Sequence, residues 1–184
     1  MNKYYQFVKF LSDNNENHVF LNSEEKNMPI VFDLMFHQSK TEFRIFAGNL
    51  CNNTTDSPQY IEAMSDYIES GGKLRILLNS FEEDCAYESK LFRRLYMYIK
   101  QGKDIEIRKT NQKPFVTKDG KKVDVHFSVG DKECYRMEDD IEKRTAICNM
   151  HDPQMAQKIA ELFDNIFNNH HQGGINLKPI FERR

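Results

Sequence analysis

Cysteine is scarce in this chain and falls in no pattern. The four cysteines among 184 residues, Cys51, Cys85, Cys134 and Cys148, form no CxxC pair and no other spacing typical of zinc ligands. Their number and spacing argue against a disulfide framework, so free thiols in a reducing, cytoplasmic setting are expected. No signal-peptide pattern opens the chain, because Met1-Asn2-Lys3-Tyr4-Tyr5 leads straight into mixed polar sequence. No apolar run approaches the roughly 20 residues that a membrane span needs. An excess of one charge is also missing. The 26 Lys and Arg stand against 28 Asp and Glu, a net charge of −2. Hence no global basic field draws nucleic acid or an anionic membrane, although a local patch stays open. There is no internal repeat, no long linker and no glycine-rich phosphate loop. Gly71-Gly72 ends a predicted helix rather than opening one.

What is present suits one globular domain. The length allows a proper core without staples, and 39% hydrophobic with 29% charged residues is an ordinary balance. Phe7, Val8, Phe10 and Leu11 suggest a short helix or extended lead-in, and His18-Val19-Phe20-Leu21 reads as an edge strand. Asn22-Ser23-Glu24 precedes a helix carrying Ile30, Val31, Leu34 and Met35, with Pro29 confined to its first turn. Residues 43–48 read as a buried strand. Pro58 starts a helix with Tyr60, Ile61, Met64, Tyr67 and Ile68 on one face. Lys73–Leu78 is the next strand, so strand, helix and strand imply a right-handed crossover and a parallel pair.

The unit repeats with a helix over Ser89–Lys100 and an alternating strand over Asp104–Arg108. Residues 109–121 read as a polar loop with a turn at Asp119-Gly120. Val123–Val129 and Glu133–Met137 read as strands, with Gly130-Asp131 as a tight hairpin between them. Thr145–Cys148 adds one more short strand. A last helix, capped near Asp152, is expected to bury Met155, Ile159, Leu162, Phe163, Ile166 and Phe167. The fold class is therefore α/β, with a mixed parallel and antiparallel sheet flanked by helices.

The chemistry concentrates around His126. On one regular strand Asp124, His126 and Ser128 share a face, and Val123, Val125, Phe127 and Val129 share the other. Three readings of the polar row are open: a ligand-facing row, the solvated face of an antiparallel strand, or a satisfied histidine at the sheet edge. Arg136 and Glu138 share a face of the following strand. They read either as an exposed ion pair or as a phosphate-binding fork. A two-residue hairpin puts His126 near Tyr135 and turns Arg136 to the opposite side, so register decides between these readings. Between Lys100 and Lys122 there are eight basic and three acidic residues. That segment, with Lys121, Lys122 and Phe115, is either a solvated loop or a nucleic-acid contact. His170-His171 reads as a helix end, Glu82-Glu83-Asp84 as a solvated turn, and no residue set calls for a metal or a cofactor.

The order of elements, followed by D-V-H-F-S-V-G-D-K-E-C-Y-R-M-E over 124–138 and a helix with Ala156, Phe163 and Phe167, resembles a single phospholipase D-like domain. The resemblance covers 41–171, with 1–40 as a helical or extended lead-in packed on the domain and 172–184 as a tail. Active members of that family use His-x-Lys, four residues, then Asp: the histidine attacks phosphorus and the lysine neutralises phosphoryl oxygens. Here His126 matches the histidine. Ser128 stands at the lysine position and Glu133 at the aspartate position, while Asp131 comes too early. Tyr135-Arg136-Met137-Glu138 replaces the small residues that follow in the family. The resemblance therefore implies a non-catalytic binding or assembly protein, a homodimer with a phosphate-bearing ligand or nucleic acid as partner. The alternative it implies is a diverged phosphodiesterase or nuclease with His126 as nucleophile at a dimer interface. In both, Asp124, Ser128, Arg136, Glu138, Lys121 and Lys122 are the candidate ligand contacts.

Overall fold

The computed structural model describes residues 2–143 and 145–182, so the last two residues of the expected tail lie outside the described residues. Helix α1 (Lys3–Asp13) is capped by the Asn2 side chain, which accepts from the Tyr4 amide at 2.9 Å. Strand β1 (Phe20–Asn22) and a single 3-10 turn lead into helix α2 (Met28–Gln38). Eight residues of α2 are buried, so it is a core helix rather than an amphipathic surface one. The first crossover is β2 (Glu42–Ala47), α3 (Pro58–Glu69) and β3 (Lys73–Leu78). The second is α4 (Glu83–Glu88), α5 (Lys90–Lys100) and β4 (Ile105–Lys109). Ser57 and Ser89 cap α3 and α5 by accepting from the amides of Tyr60 and Phe92. The run Glu82-Glu83-Asp84, read above as a turn, instead opens α4, where carboxylates suit the positive helix end.

After β4 the chain forms β5 (Phe115–Lys118), β6 (Lys121–Asp124), β7 (His126–Gly130), β8 (Cys134–Asp140) and β9 (Thr145–Asn149). Helix α6 (Pro153–Asn169), the short β10 (Gly173–Gly174) and α7 (Lys178–Phe181) complete it. The main sheet has eight strands in the order β1-β9-β8-β7-β2-β3-β4-β10. Pairs β2–β3 and β3–β4 are parallel and all others antiparallel. Residues 20–22 and 173–174 thus close the two edges of the sheet.

Two sequence expectations change here. Residues 109–121 are not wholly loop: β5 and β6 pair as a separate hairpin around Asp119-Gly120, whose positive φ values of 50° and 74° suit a tight turn. Val123–Val129 is not one strand, because the chain passes from the hairpin into the main sheet at buried Val125.

Each face of the sheet carries a core. One face packs Phe43, Ile45, Leu74, Ile76 and Leu78 against α2, α3 and α5. Its centre is a ring cluster in which Phe36 and Phe43 lie 4.2 Å apart and Phe32 and Tyr60 lie 5.0 Å apart. Such aromatic pairs add about 0.5–1.5 kcal/mol each beyond the area they bury. The other face packs Phe46, Leu77, Phe127, Val129 and Tyr135 against α6. Met155 and Leu162, expected on the buried face of α6, are largely exposed, and Ala156 and Ala160 are buried in their place. Small side chains let the helix sit closer to the sheet than large ones, which hydrophobicity alone does not indicate.

Cys51 and Cys85 are joined by a disulfide, with Cα atoms 6.1 Å apart. This corrects the expectation of four free thiols. Residues 34 apart in sequence meet because the loop after β2 folds against α4, a contact no local spacing reveals. Cys134 and Cys148 are free and buried, and burial pushes both thiols up to about 12. Among the described residues no helix is long and apolar enough to cross a membrane, and no three His, Cys, Asp or Glu side chains are grouped to hold a metal ion.

Candidate functional site

The site is set by the turn between β7 and β8. Asp131 and Lys132 adopt positive φ (50° and 61°), the Glu133 amide donates to the Gly130 carbonyl at 2.9 Å, and Gly130 pairs with Cys134. Three residues therefore separate the strands, not two. A Cβ at Gly130 would lie 2.1 Å from Ser39 Oγ, so only glycine fits there without a shift. The Asp131 side chain holds the turn to the start of β2. Its carboxylate accepts from the backbone amides of Lys40, Thr41 (2.9 Å) and Glu42 (2.8 Å) and from the Thr41 hydroxyl (2.7 Å). Burial pushes this carboxyl up, but those donors outweigh it and hold it below the usual carboxylate range.

The resulting register pairs His126 with Glu138 and Ser128 with Arg136. Directly opposed residues of an antiparallel pair share a face, so all four lie together. This overturns the two-residue hairpin, which placed Arg136 on the other side. The solvated-face and exposed-pair readings do not hold for Ser128 and Arg136, which are only 4% and 3% exposed, whereas Asp124 is exposed. His126, Glu138 and Arg136 form a hydrogen-bonded network with Asn22, beside buried Ser128. Arg136 Nη1 donates to Glu138 Oε1 at 2.9 Å, Arg136 Nε donates to Asn22 Oδ1 at 3.0 Å, and Glu138 Oε2 is 3.3 Å from His126 Nδ1. The guanidinium also lies over the Phe32 ring, 5.6 Å from its centroid. Burial pushes the Glu138 carboxyl up. The hydrogen bond to His126 and the Arg136 charge more than compensate, leaving it below its ordinary value.

These residues line a cavity of about 210 Å³, walled also by Met28, Phe32 and the Gly48–Asn52 stretch after β2. His126 stands against Gly48, where a Cβ would lie 3.4 Å from the imidazole Cε1. The cavity sits at the carboxyl ends of the parallel strands, the edge where open α/β sheets bind ligands. With its Nδ1 proton directed to Glu138, the imidazole presents Nε2 as acceptor, base or nucleophile. Among the described residues lining the cavity, Arg136 is the one Lys or Arg, and its charge already faces Glu138.

The structure brings His126, Ser128, Arg136 and Glu138 together but not the other candidates. Asp124 is exposed and pairs with Phe115 in the separate hairpin. Lys121 and Lys122 are exposed on that hairpin, with the Lys122 ammonium 4.1 Å from the Phe115 ring centroid. None of the three lines the cavity. Sequence reasoning missed Asn22 and the Gly48–Asn52 wall, which come from distant segments and carry no local signature. The alternation of Arg136 and Glu138 on β8 was a usable signal, but only with the right register.

No protein-family model matches the sequence, and no curated protein does. Solved structures do. TrmBL2, an archaeal chromatin protein described as showing a novel mode of DNA binding, is similar with a TM-score of 0.61 at 15% identity. The match covers 92% of this chain, which spans 61% of that protein. Nuc of Salmonella typhimurium, a phospholipase D family member, is similar with a TM-score of 0.58 at 13% identity, covering 88% of this chain and 99% of that one. NucT of Helicobacter pylori has a TM-score of 0.52 at 9% identity, covering 85% of this chain and 98% of that one. At these identities the likeness establishes the fold and nothing further: the chain is α/β, with the phospholipase D-like fold.

Proposed function

We propose that this chain is a phospholipase D-like binding protein that holds a phosphate-bearing ligand in the His126 cavity without hydrolysing it. The observation that carries this reading is the Ser128–Arg136 pair. The position two residues after His126 bears a neutral hydroxyl, and the cation across the ladder is spoken for by Glu138. Phosphoryl transfer needs positive charge directed at the non-bridging oxygens as charge develops there. Loss of one such preorganised group costs about 10²–10³ in rate. Binding needs less: the Ser128 hydroxyl offers a donor to an anion, and Glu138 orients the imidazole. The neighbours that bind DNA or belong to the phospholipase D family agree with a phosphate-bearing partner. A homodimer, with the cavities facing one another across a two-fold axis, completes the reading and is testable by sedimentation velocity.

The second reading is a diverged phosphodiesterase with His126 as nucleophile. The His126–Glu138 contact of 3.3 Å favours it, because a carboxylate at Nδ1 fixes the ring's orientation and leaves Nε2 as the free ring nitrogen. One experiment separates the two. Bis(p-nitrophenyl) phosphate is titrated into the protein by calorimetry, and p-nitrophenolate release is followed. Binding that is lost in His126→Ala, without release, is expected. Turnover that disappears in His126→Ala yet survives in the surface variant Lys158→Ala would overturn the binding-only reading.

A further inference from the structure

The β5–β6 hairpin is not used by the cavity, yet its position is informative. It is inserted between the end of β4 and the start of β7. Because β4 runs parallel to β2, and β7 antiparallel to it, both attachment points lie at the carboxyl edge of the parallel strands. The His126 cavity opens at that same edge. The Val125 amide donates to the Pro114 carbonyl at 2.9 Å, so the hairpin closes at its base one residue before His126.

Its surface has a definite chemistry. Residues 109–122 hold five lysines and one aspartate in a chain of net charge −2. Lys109, Lys113, Lys121 and Lys122 are all exposed. Pairing of Phe115 with Asp124 and of Thr117 with Lys122 puts Phe115, Thr117, Lys122 and Asp124 on one face, with the Lys122 ammonium 4.1 Å from the Phe115 ring centroid, while Lys118 and Lys121 pair on the Val116 face. Val116 turns the other way and packs against the α6 core, so the Phe115 face looks outward. Phe115 remains 48% exposed, although a hairpin needs no exposed aromatic for its own stability.

We infer that this hairpin is a contact for single-stranded nucleic acid, with Phe115 as a stacking platform and the surrounding lysines on the phosphates. The inference rests on the phosphate-ligand reading of the neighbouring cavity and names the ligand's class. An unpaired strand is favoured over a duplex because only unstacked bases offer a face to an aromatic ring. Asp124 is the opposing charge on the face and lies between Phe115 and His126 in chain order; it weakens the contact.

Fluorescence anisotropy with a labelled oligothymidylate of about 12 nucleotides tests this, a length within the usual single-strand site sizes. Phe115→Ala should weaken binding about tenfold, and Phe115→Tyr should retain it. Lys122→Ala should flatten the slope of log affinity against log salt by about 0.7. Asp124→Asn should tighten binding. These are surface positions, and unchanged melting temperatures will confirm folding. Oligonucleotide binding that ignores all four hairpin variants, or no oligonucleotide binding at all, overturns the inference. So does hairpin-dependent sedimentation with phosphatidylserine vesicles in the absence of oligonucleotide binding, which would make the surface a membrane contact. The cavity reading is judged separately: bis(p-nitrophenyl) phosphate binding that is absent while hairpin-dependent oligonucleotide binding persists defeats the cavity and spares the hairpin.

Discussion

Ser128 lies directly opposite Arg136 across the β7–β8 ladder, both nearly sealed from solvent. A cation therefore lies on the His126 face, but it comes from the next strand and is bound to a carboxylate. The arrangement resolves the histidine's setting: an oriented imidazole in an open cavity whose one cation is paired with a carboxylate.

Restoring a lysine at 128 should not restore a working site. Ser128→Lys buries an ammonium directly opposite a guanidinium, and like charges in that position repel. A loss of about 3 kcal/mol is expected, or roughly 6–12 °C in melting temperature for a chain of this size. Adding Arg136→Ser should recover most of it. Thermal unfolding of the single and double variants checks the coupling, and an unperturbed single variant would contradict the register.

Glu138 makes stability depend on acid. Its carboxyl is held below its ordinary value in the folded protein. Its contribution is therefore complete above the unfolded pKa of about 4.3 and is lost as pH falls through the lower folded value. Glu138→Gln should cost about 3 kcal/mol at pH 7 by leaving Arg136 without its partner charge. The gap from the parent should narrow below about pH 4. Urea unfolding at both pH values measures this, and a constant gap would contradict it.

Asp131 anchors the β7–β8 turn to the start of β2. Asp131→Ala strips the acceptor from three backbone amides at the start of β2. About 2 kcal/mol should be lost, with faster amide exchange at Thr41 and Glu42 and unchanged ligand binding. Loss of binding without loss of stability would assign Asp131 to the site.

The Cys51–Cys85 link encloses a separation of 34 residues. Closing a loop of that length stabilises by roughly 3–4 kcal/mol in the chain-entropy account. Denatured protein should titrate two thiols without reductant and four after reduction. Reduction should lower the melting temperature, and Cys85→Ser should reproduce the shift.

Much of the fold is legible along the chain. Helix periodicity in α3 and α5, serine caps at Ser57 and Ser89, and apolar runs at β2 and β3 are local, and local physics sets them. The same locality limits what can be read at the site. His126 stands out by its neighbours, but its environment depends on a turn one residue longer than Gly130-Asp131 suggests. That change moves Arg136 and Glu138 from the far face to the His126 face, because side chains alternate along a strand. The break at Val125, which takes Asp124, Lys121 and Lys122 away from His126, is equally invisible in the alternation of Val123–Val129. By itself the sequence determined the order of the main strands and helices, such as β2, α3, β3, α5 and β4, and the absence of a lysine beside His126. Tertiary structure alone decided the β7–β8 register, the burial of Arg136 and the meeting of Cys51 with Cys85, since each depends on contacts between segments far apart in the chain.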